Sequence, residues 1–468
     1  MKIVFCSSEV VPFAKTGGLA DVAGALPLAL KQFGCQIIVV MPAYRCVREA
    51  NIKINKINND FSFCEYKGVK FYFIENKNYF DRVGLYGDKT GDYKDNLLRF
   101  SFFCSKFFNL LEEIDFQPDI IHCNDWQTGL IPVYLKTKYM NKQLFKDTKT
   151  ILTIHNLAYQ GLFDKSQYSL MGLDEKFFSI DGFEFYGKIN LLKAAILFSD
   201  WITTVSEDYA RQILTKEFGC GLEGILLKKK DRLLGIINGV DYSIWDPSKD
   251  KFIFKQYDVA SLDNKSYNKI SLQKQCGLAE SKDVFLLGFV GRLAEQKGIH
   301  LLADIIDQLK ENHMQIVILG TGEQKYHNLL QQVSERYPNF LSLNLKFDEV
   351  LAHRIYAGAD SFLMPSRYEP CGLGQLISFK YGTIPVVFRT GGLSDTVFDS
   401  NKDTQKGNGF VFEEYSKEEF WRAIHRAFKL FKNKSAWLNL VKKVMGLSFS
   451  WEDSAKKYLQ LYNGIRKT

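Results

Sequence analysis

The 468-residue chain lacks several features that would assign it to a membrane or secreted class. No apolar run approaches the roughly 18 residues that a membrane-spanning helix needs. The opening, MKIVFCSSEVVPF, has neither the long apolar stretch nor the cleavage site of a secretory signal. The nine cysteines form no C-x-x-C pair and show no zinc-ligand spacing, as is typical of reduced thiols. These absences predict a cytoplasmic protein that does not bind a membrane.

Common nucleotide and metal motifs are missing as well. There is no G-x-x-x-x-G-K-[ST] loop, and in ILGTGEQK the third glycine position of G-x-G-x-x-G is Lys325. The chain contains no D-x-D triplet, which many metal-dependent sugar-nucleotide enzymes carry. We therefore expect no metal ion and no cofactor. The net charge of +8 is not gathered in a dense basic block, which argues against a nucleic-acid partner.

The apolar runs of the chain indicate two doubly wound α/β domains, because they alternate with segments of helical spacing. The first series of predicted strands comprises 3–7, 36–42, 119–125, 150–156, 201–206 and 233–239. The second comprises 284–292, 315–323, 340–347, 361–366 and 383–391. A polar stretch from about residue 241 to 278 is expected to be irregular. The pattern predicts domains over 1–240 and 241–450, and a C-terminal segment, 451–468, whose helix returns to the first domain.

The pattern T-G-G-L-x-D occurs twice, at 16–21 and at 390–395. Each copy is predicted to lie before a helix of a different domain. A Gly-Gly turn at a helix start exposes backbone N–H groups to an anion. If the two domains face each other across a cleft, both loops can contact one anionic ligand.

Polar residues gather at the predicted carboxyl ends of the strands, where ligands of such sheets bind. Each alone has an ordinary structural explanation, such as a helix cap or a surface charge. Their convergence on one rim favours a site. Lys15, Arg292 and Lys297 can neutralise a departing diphosphate, since three charge-assisted bonds supply about 5–9 kcal/mol. That is comparable to the contribution of a catalytic metal.

Five segments then resemble bacterial glycogen synthases and plant starch synthases in order along the chain. They are KTGGLADV, VGRLAEQKG, MPSRYEPCGLGQ, RTGGLSDTV and SWEDSAKKYLQLY. The resemblance implies the GT-B fold, two Rossmann-like domains facing a central cleft. It also implies transfer of glucose from ADP-glucose to the non-reducing end of an α-1,4-glucan such as glycogen, with retention at the anomeric carbon.

The resemblance implies roles for residues at matching positions. The implied catalytic residues are Glu369, Asp125, His155, Arg292 and Lys297, with Arg292 and Lys297 on the diphosphate and Glu369 on the donor glucose. The implied substrate-binding residues are Lys15, Gly17, Gly18, Asn156, Asn238, Tyr356, Cys371, Gly372, Leu373, Thr390 and Gly391. Among these, Tyr356 is implied as the partner of the adenine base. Thr390 and Gly391 are implied to face the phosphates from the second domain.

Three positions depart from the family pattern. HCNDWQ replaces His-x-His-Asp-Trp-His, so Asn124 and Gln127 stand where histidines are usual, and Gly374 replaces a frequent Thr. The alternatives are UDP-glucose as donor, another retaining GT-B transferase with a small acceptor, or a glucan-binding protein without activity. Front-face attack and a covalent intermediate both remain open, as does the oligomeric state.

Overall fold

A computed structural model of the chain describes residues 1–401 and 406–466. The chain divides into two compact units, Met1–Gly239 with Trp451–Thr468, and Val240–Ser450. We call them the N-unit and the C-unit. Each is built around a largely parallel sheet whose strand order reverses once, so the predicted doubly wound α/β fold is confirmed.

The N-unit contains strands that are mostly short and buried. They are β1 (Lys2–Cys6), β2 (Gln36–Pro42), β3 (Asn55–Lys56), β4 (Phe61–Tyr66), β5 (Val69–Ile74), β6 (Gly87–Asp88), β7 (Gly91–Asp92), β8 (Ile120–Asn124), β9 (Lys149–Ile154), β10 (Leu162–Asp164), β11 (Glu184–Phe185), β12 (Lys188–Asn190), β13 (Trp201–Thr204) and β14 (Leu233–Gly235). Nine of them form one sheet in the order β14-β13-β9-β8-β1-β2-β5-β4-β3. The remaining strands form two small sheets, β10-β12-β11 and β6-β7.

The helices of this part of the N-unit connect the parallel strands. They are α1 (Gly18–Gln32), α2 (Arg45–Glu49), α3 (Lys77–Phe80), α4 (Asn96–Glu113), α5 (Leu130–Tyr134), α6 (Leu191–Phe198), α7 (Glu207–Gln212) and α8 (Glu223–Lys228). From β1 the chain moves to β2 and β5 on one side, and later to β8 and β9 on the other. The order therefore reverses at β1, and the carboxyl ends of β1 and β8 flank the reversal.

One edge of the N-unit sheet was not predicted. Strands β3 and β4 pair antiparallel, and β4 pairs antiparallel with β5. The turn between β4 and β5 places Lys67 and Gly68 at positive φ, 49° and 75°. A lysine at the first turn position does not carry the Asn-Gly signal by which such hairpins are usually found in sequences.

The C-unit has a six-stranded parallel sheet in the order β17-β16-β15-β18-β19-β20. Its strands are β15 (Leu286–Val290), β16 (Gln315–Leu319), β17 (Leu341–Asn344), β18 (Ser361–Met364), β19 (Ile384–Phe388) and β20 (Phe410–Phe412). Its helices are α9 (Asp263–Gln275), α10 (Ile299–Asp304), α11 (Ile306–Glu311), α12 (Gln324–Arg336), α13 (Glu349–Gly358), α14 (Gly374–Lys380), α15 (Gly391–Thr396), α16 (Lys417–Lys432) and α17 (Lys434–Met445). Here the strand order reverses between β15 and β18.

The expectation of an irregular stretch over residues 241–278 is wrong in part, because α9 lies within it. Three polar residues of α9 are buried. Asn268, Lys269 and Gln273 are at most 3% exposed. Lys269 pairs with Asp360 over 2.6 Å, and Gln273 donates to Gln315 over 2.7 Å. A helix that buries polar side chains has no apolar stripe, and periodicity does not detect it.

The last helix, α18 (Trp451–Ile465), belongs to the N-unit. Its buried residues recur at helical spacing: Trp451, Ala455, Tyr458, Tyr462 and Ile465. The hydroxyl of Tyr462 lies 2.6 Å from Nδ1 of His122, and Oγ of Ser454 donates to the carbonyl of Ile237 over 2.6 Å. These bonds hold α18 to β8 and to the segment that follows β14.

Candidate active site

Asp125 and His155 are in direct contact at the carboxyl ends of two neighbouring strands of the N-unit sheet. Asp125 follows β8 and His155 follows β9, and these strands are parallel neighbours. The backbone N–H of His155 donates to Oδ1 of Asp125 over 2.8 Å. Asn156 follows directly, and its Oδ1 accepts the backbone N–H of Ala158 over 3.1 Å. The structure thus brings together three of the predicted site residues.

Asp125 has an unusual backbone conformation and an unusual acidity. Its φ is 54° and its ψ is −174°, a region that side-chain-bearing residues avoid and that costs about 1–3 kcal/mol. Burial raises the pKa of its carboxyl to about 7. Its side chain does not cap the short turn Trp126–Thr128, so the helix-cap explanation does not apply. Strain and perturbed acidity together are typical of functional residues.

The two histidines after these strands differ in their surroundings. Burial lowers the pKa of both to about 3, so both are neutral near pH 7. Nε2 of His155 lies 2.8 Å from Oδ1 of Asn124. His122 is fully buried, and its Nε2 lies 2.6 Å from the Thr153 hydroxyl. Its Nδ1 bonds the Tyr462 hydroxyl. Since both nitrogens are used in this way, His122 holds α18 against β8 and is not a site residue.

The glycine-rich loop before α1 is exposed and is shaped for a ligand. Lys15 pairs with Asp21 over 2.7 Å on the surface. Gly17 precedes the helix, and no atom lies within 4 Å of where a Cβ would stand. Gly18 begins the helix, whose first-turn N–H groups have no partner within it. An anion can therefore approach this helix end closely.

Glu9 holds this loop, and no motif in the sequence singled it out. Its carboxylate is 4% exposed and accepts the backbone N–H groups of Thr16, over 2.5 Å, and Gly17, over 3.2 Å. It also accepts the hydroxyls of Thr16, over 2.6 Å, and Tyr86, over 2.7 Å. The sequence gives one indication of this role, namely that Glu9 is a charged residue within the apolar run that follows β1.

Asn238 follows β14 and has an unsatisfied acceptor. The residue is 6% exposed, and among the described residues its Oδ1 has no hydrogen-bond partner. Leaving a buried acceptor unpaired costs about 1–3 kcal/mol. A hydroxyl-bearing ligand is a suitable donor for such an oxygen.

In the C-unit the predicted residues Lys297 and Glu369 form an ion pair. Nζ of Lys297 donates to Oε2 of Glu369 over 2.6 Å, and the Ser366 hydroxyl donates to the same oxygen over 2.9 Å. Their side chains are 20% and 8% exposed. Lys297 follows β15 and Glu369 follows β18, so the pair lies where the strand order reverses. This is the position at which α/β sheets bind their ligands.

Close backbone packing holds these two loops together. Gly298 has a φ of 68°, and a Cβ there would lie 2.0 Å from the carbonyl oxygen of Pro365. Nε2 of Gln296 donates to the carbonyl of Tyr368 over 3.0 Å, and the N–H of Arg367 donates to the carbonyl of Gln296 over 2.9 Å. The position of the ion pair is therefore set by backbone contacts.

A third loop joins this group. The N–H of Gly392 donates to the carbonyl of Glu369 over 3.0 Å, and a Cβ at Gly392 would lie 2.1 Å from the carbonyl oxygen of Cys371. The predicted residues Thr390 and Gly391, at the start of α15, are thus held beside the segment Glu369 to Leu373. Gly372 in that segment has a φ of 71°, and Leu373 precedes α14.

The last two predicted site residues are Arg292 and Tyr356. Arg292 is exposed at the carboxyl end of β15. Tyr356 lies on α13, is 5% exposed, and packs with its ring 5.5 Å from Trp245 and 4.8 Å from Phe362. The roles implied for both stay predictions.

Residues 1–401 and 406–466 include no helix with the length and apolar character to cross a membrane.

Comparison with known proteins covers nearly the whole chain. A family model of the starch synthase catalytic domain matches residues 2–228, and a model of glycosyl transferases group 1 matches residues 273–439. A glycogen synthase of Geotalea daltonii is 47% identical, over 99% of this chain and 98% of that protein. A glycogen synthase of Thermotoga maritima is 44% identical with the same coverage.

Solved structures agree with these matches. The catalytic domain of starch synthase IV from Arabidopsis thaliana, bound to ADP and acarbose, is similar with a TM-score of 0.92 and 34% identity, over 100% of this chain and 99% of that one. A sucrose-phosphate synthase from Thermosynechococcus elongatus has a TM-score of 0.65 at 17% identity, over 99% of this chain and 98% of that one, which shows likeness of fold alone.

Proposed function

The chain belongs to the glycogen and starch synthase family of glycosyltransferases, and on that premise we propose that it transfers glucose from ADP-glucose to an α-1,4-glucan. The glucose joins the non-reducing end, and the configuration at the anomeric carbon is retained. The N-unit provides the acceptor side and the C-unit binds the nucleotide sugar. We place the reaction in the cytoplasm, because all nine cysteines are free thiols, as in reducing compartments.

The ion pair of Lys297 and Glu369 at the reversal of the C-unit sheet is the observation that carries the proposal. Breaking the anomeric C–O bond leaves negative charge on the diphosphate and builds positive charge on the sugar. A fixed cation and a fixed carboxylate at hydrogen-bond distance suit these two charges. Lys297, with Arg292, holds the diphosphate, and Glu369 binds the glucose hydroxyls beside the cation-like ring.

The other predicted residues complete the substrate contacts in this proposal. The Lys15–Gly18 loop binds donor phosphate and glucose, and Asp125, His155, Asn156 and Asn238 contact the glucose and acceptor hydroxyls. Thr390 and Gly391 bind the phosphates, Tyr356 contacts the base, and the backbone of Cys371, Gly372 and Leu373 contacts sugar hydroxyls. The orphan acceptor of Asn238 and the neutral ring of His155 favour hydroxyl ligands over charged ones.

ADP-glucose is preferred over UDP-glucose in this proposal because a relative with 34% identity was solved with ADP. The test measures incorporation of labelled glucose into glycogen from each donor at equal concentration, without added metal and with EDTA. We expect faster transfer from ADP-glucose and elongation of maltooligosaccharides in both conditions. Faster transfer from UDP-glucose would reverse the donor assignment, and an absence of transfer from either donor would refute the proposed activity.

A further inference from the structure

Asn124 is one of the two residues at which HCNDWQ departs from the family pattern, and both ends of its side chain are hydrogen-bonded. Its Nδ2 donates to the carbonyl of Cys6 over 2.8 Å, and its Oδ1 lies 2.8 Å from Nε2 of His155. Its backbone N–H and carbonyl both bond the hydroxyl of Thr128. The side chain is fully buried, so it has one orientation.

The chemistry of these contacts fixes the proton of His155. A backbone carbonyl only accepts, so the amide nitrogen of Asn124 must face Cys6 and the amide oxygen must face His155. An amide oxygen carries no proton, and Nε2 of His155 must therefore be the donor. A neutral imidazole carries one N–H, which leaves Nδ1 with a free lone pair. Burial keeps the ring neutral by lowering its pKa to about 3.

We propose that Asn124 is a positioning residue that holds His155 in the Nε2–H tautomer and so makes Nδ1 a hydrogen-bond acceptor for a sugar hydroxyl. Among the described residues Nδ1 has no hydrogen-bond partner. The backbone of His155 is fixed by the hydrogen bond that its N–H donates to Oδ1 of Asp125. The identity of the ligand rests on the proposed function, whereas the tautomer does not.

His122 provides an internal comparison. It is also neutral, but it is fully buried and its two nitrogens bond hydroxyls, those of Tyr462 and Thr153. A hydroxyl can donate or accept, so these contacts are compatible with either tautomer. Of these two histidines, only His155 is restricted to one tautomer, because it faces the amide oxygen of Asn124.

The first experiment reads the tautomer directly. The full chain is labelled with ¹⁵N in its seven histidines, and long-range proton–nitrogen correlation spectra are recorded near pH 7. His155→Gln identifies the signals of His155. We expect a protonated Nε2 and an unprotonated Nδ1. A protonated Nδ1 would overturn the proposal without any use of enzyme activity.

Variants then test the role in the reaction. Asn124→Asp keeps an oxygen facing Nε2 of His155 and should keep Nε2 protonated. In Asn124→Leu this hydrogen bond is lost, so the Nε2 proton should exchange faster with water. For Asn124→Leu we expect kcat/KM to fall by about 10- to 100-fold, the range found for residues that orient metal-ligating histidines. Tyr462→Phe is the matched control and should shift the signals of His122 alone. An unchanged rate in Asn124→Leu would overturn the positioning role. If no variant or wild-type protein transfers glucose while Nε2 is protonated, only the proposed function fails.

Discussion

Among single residues, Asp125 combines two costs that a structural aspartate avoids. Its backbone lies in a region suited to glycine, and its ionised form is opposed by burial. An uncharged side chain would avoid the second cost, and glycine would avoid both. Their presence indicates that the carboxyl is needed at this position, which agrees with the role proposed for it beside the sugar.

We predict that Asp125→Asn becomes more stable than the wild type as the pH rises. The folded pKa of about 7 lies above the ordinary 3.8, so the native carboxyl binds a proton that the unfolded chain has lost. The stabilisation that this bound proton gives to the folded state is complete below about pH 4 and is lost as the pH rises to 7. Asparagine keeps the acceptor for His155. We expect the free energy of unfolding of Asp125→Asn, relative to that of the wild type, to rise by about 2.5 kcal/mol from pH 5 to pH 8, measured by urea unfolding of the N-unit.

The control for this prediction is Asp115→Asn, which makes the same change at an exposed aspartate that also has a positive φ, 47°. An equal pH dependence in both variants would contradict the assignment of the effect to Asp125.

We predict that Lys297→Ala lowers kcat by about 10²–10³, because a preorganised cation stabilises the charge on the leaving group. The same range is expected for Arg292→Ala. Lys325→Ala is the control, since Lys325 forms an exposed pair with Glu323 in the same unit and should change the rate less than twofold. Single-turnover transfer from the nucleotide sugar is the measurement. Equal rates for Lys297→Ala and Lys325→Ala would remove Lys297 from the site.

Among the elements, apolar strands and their helices could be predicted because burial leaves a strong pattern. Strand β2 has the bounds expected from QIIVVMP, and α18 lies within the predicted C-terminal segment 451–468. The helix α9 could not be predicted in this way, because its buried face is polar. Glu9 illustrates the same limit in the site, since its partner Tyr86 lies 77 residues away and only the folded chain brings them together.

We predict that Gly298→Ala is far more damaging than Gly277→Ala. Both glycines have a φ of 68°, so both substitutions carry the same backbone penalty of about 1–2 kcal/mol. Only at Gly298 does the new Cβ meet a backbone oxygen, 2.0 Å away, whereas the space at Gly277 is open. We expect about 1–3 kcal/mol of additional destabilisation at Gly298. Thermal unfolding and the transfer rate check this, and similar losses in both variants would show that the loops adjust without cost.

In the molecule as a whole, part of the candidate site follows the strands that flank the strand-order reversals of the two sheets. These residues are Asp125 and the Lys15–Gly18 loop in the N-unit, and Lys297 and Glu369 in the C-unit. The two T-G-G-L-x-D segments occupy related places, since a helix begins within each of them, α1 at Gly18 in the N-unit and α15 at Gly391 in the C-unit. The alternation of strands predicted this arrangement, because parallel strands place their carboxyl ends on one edge. The sequence did not predict the backbone contacts of Gly298 and Gly392, which depend on distances between loops.

The N-unit is built from two segments of the chain, and we predict that the second segment, which contains α18, is needed for the stability of the unit. Helix α18 buries Trp451, Tyr458, Leu461, Tyr462 and Ile465 in the N-unit core. At about 1.5–3 kcal/mol each, these side chains contribute about as much as the whole stability of a typical domain, roughly 5–15 kcal/mol. A chain ending at residue 450 should therefore lose the unfolding transition of the N-unit and retain that of the C-unit in calorimetry.

Lys456→Ala is the control for this truncation, because Lys456 is exposed on the same helix and its ion pairs, with Glu452 over 2.7 Å and with Asp453 over 3.9 Å, lie at the surface. It should shift the N-unit transition by no more than about 0.5 kcal/mol. A truncated chain that keeps both transitions would show that residues 1–239 fold without α18. In that case the bond between His122 and Tyr462 would contribute little, although both partners are fully buried.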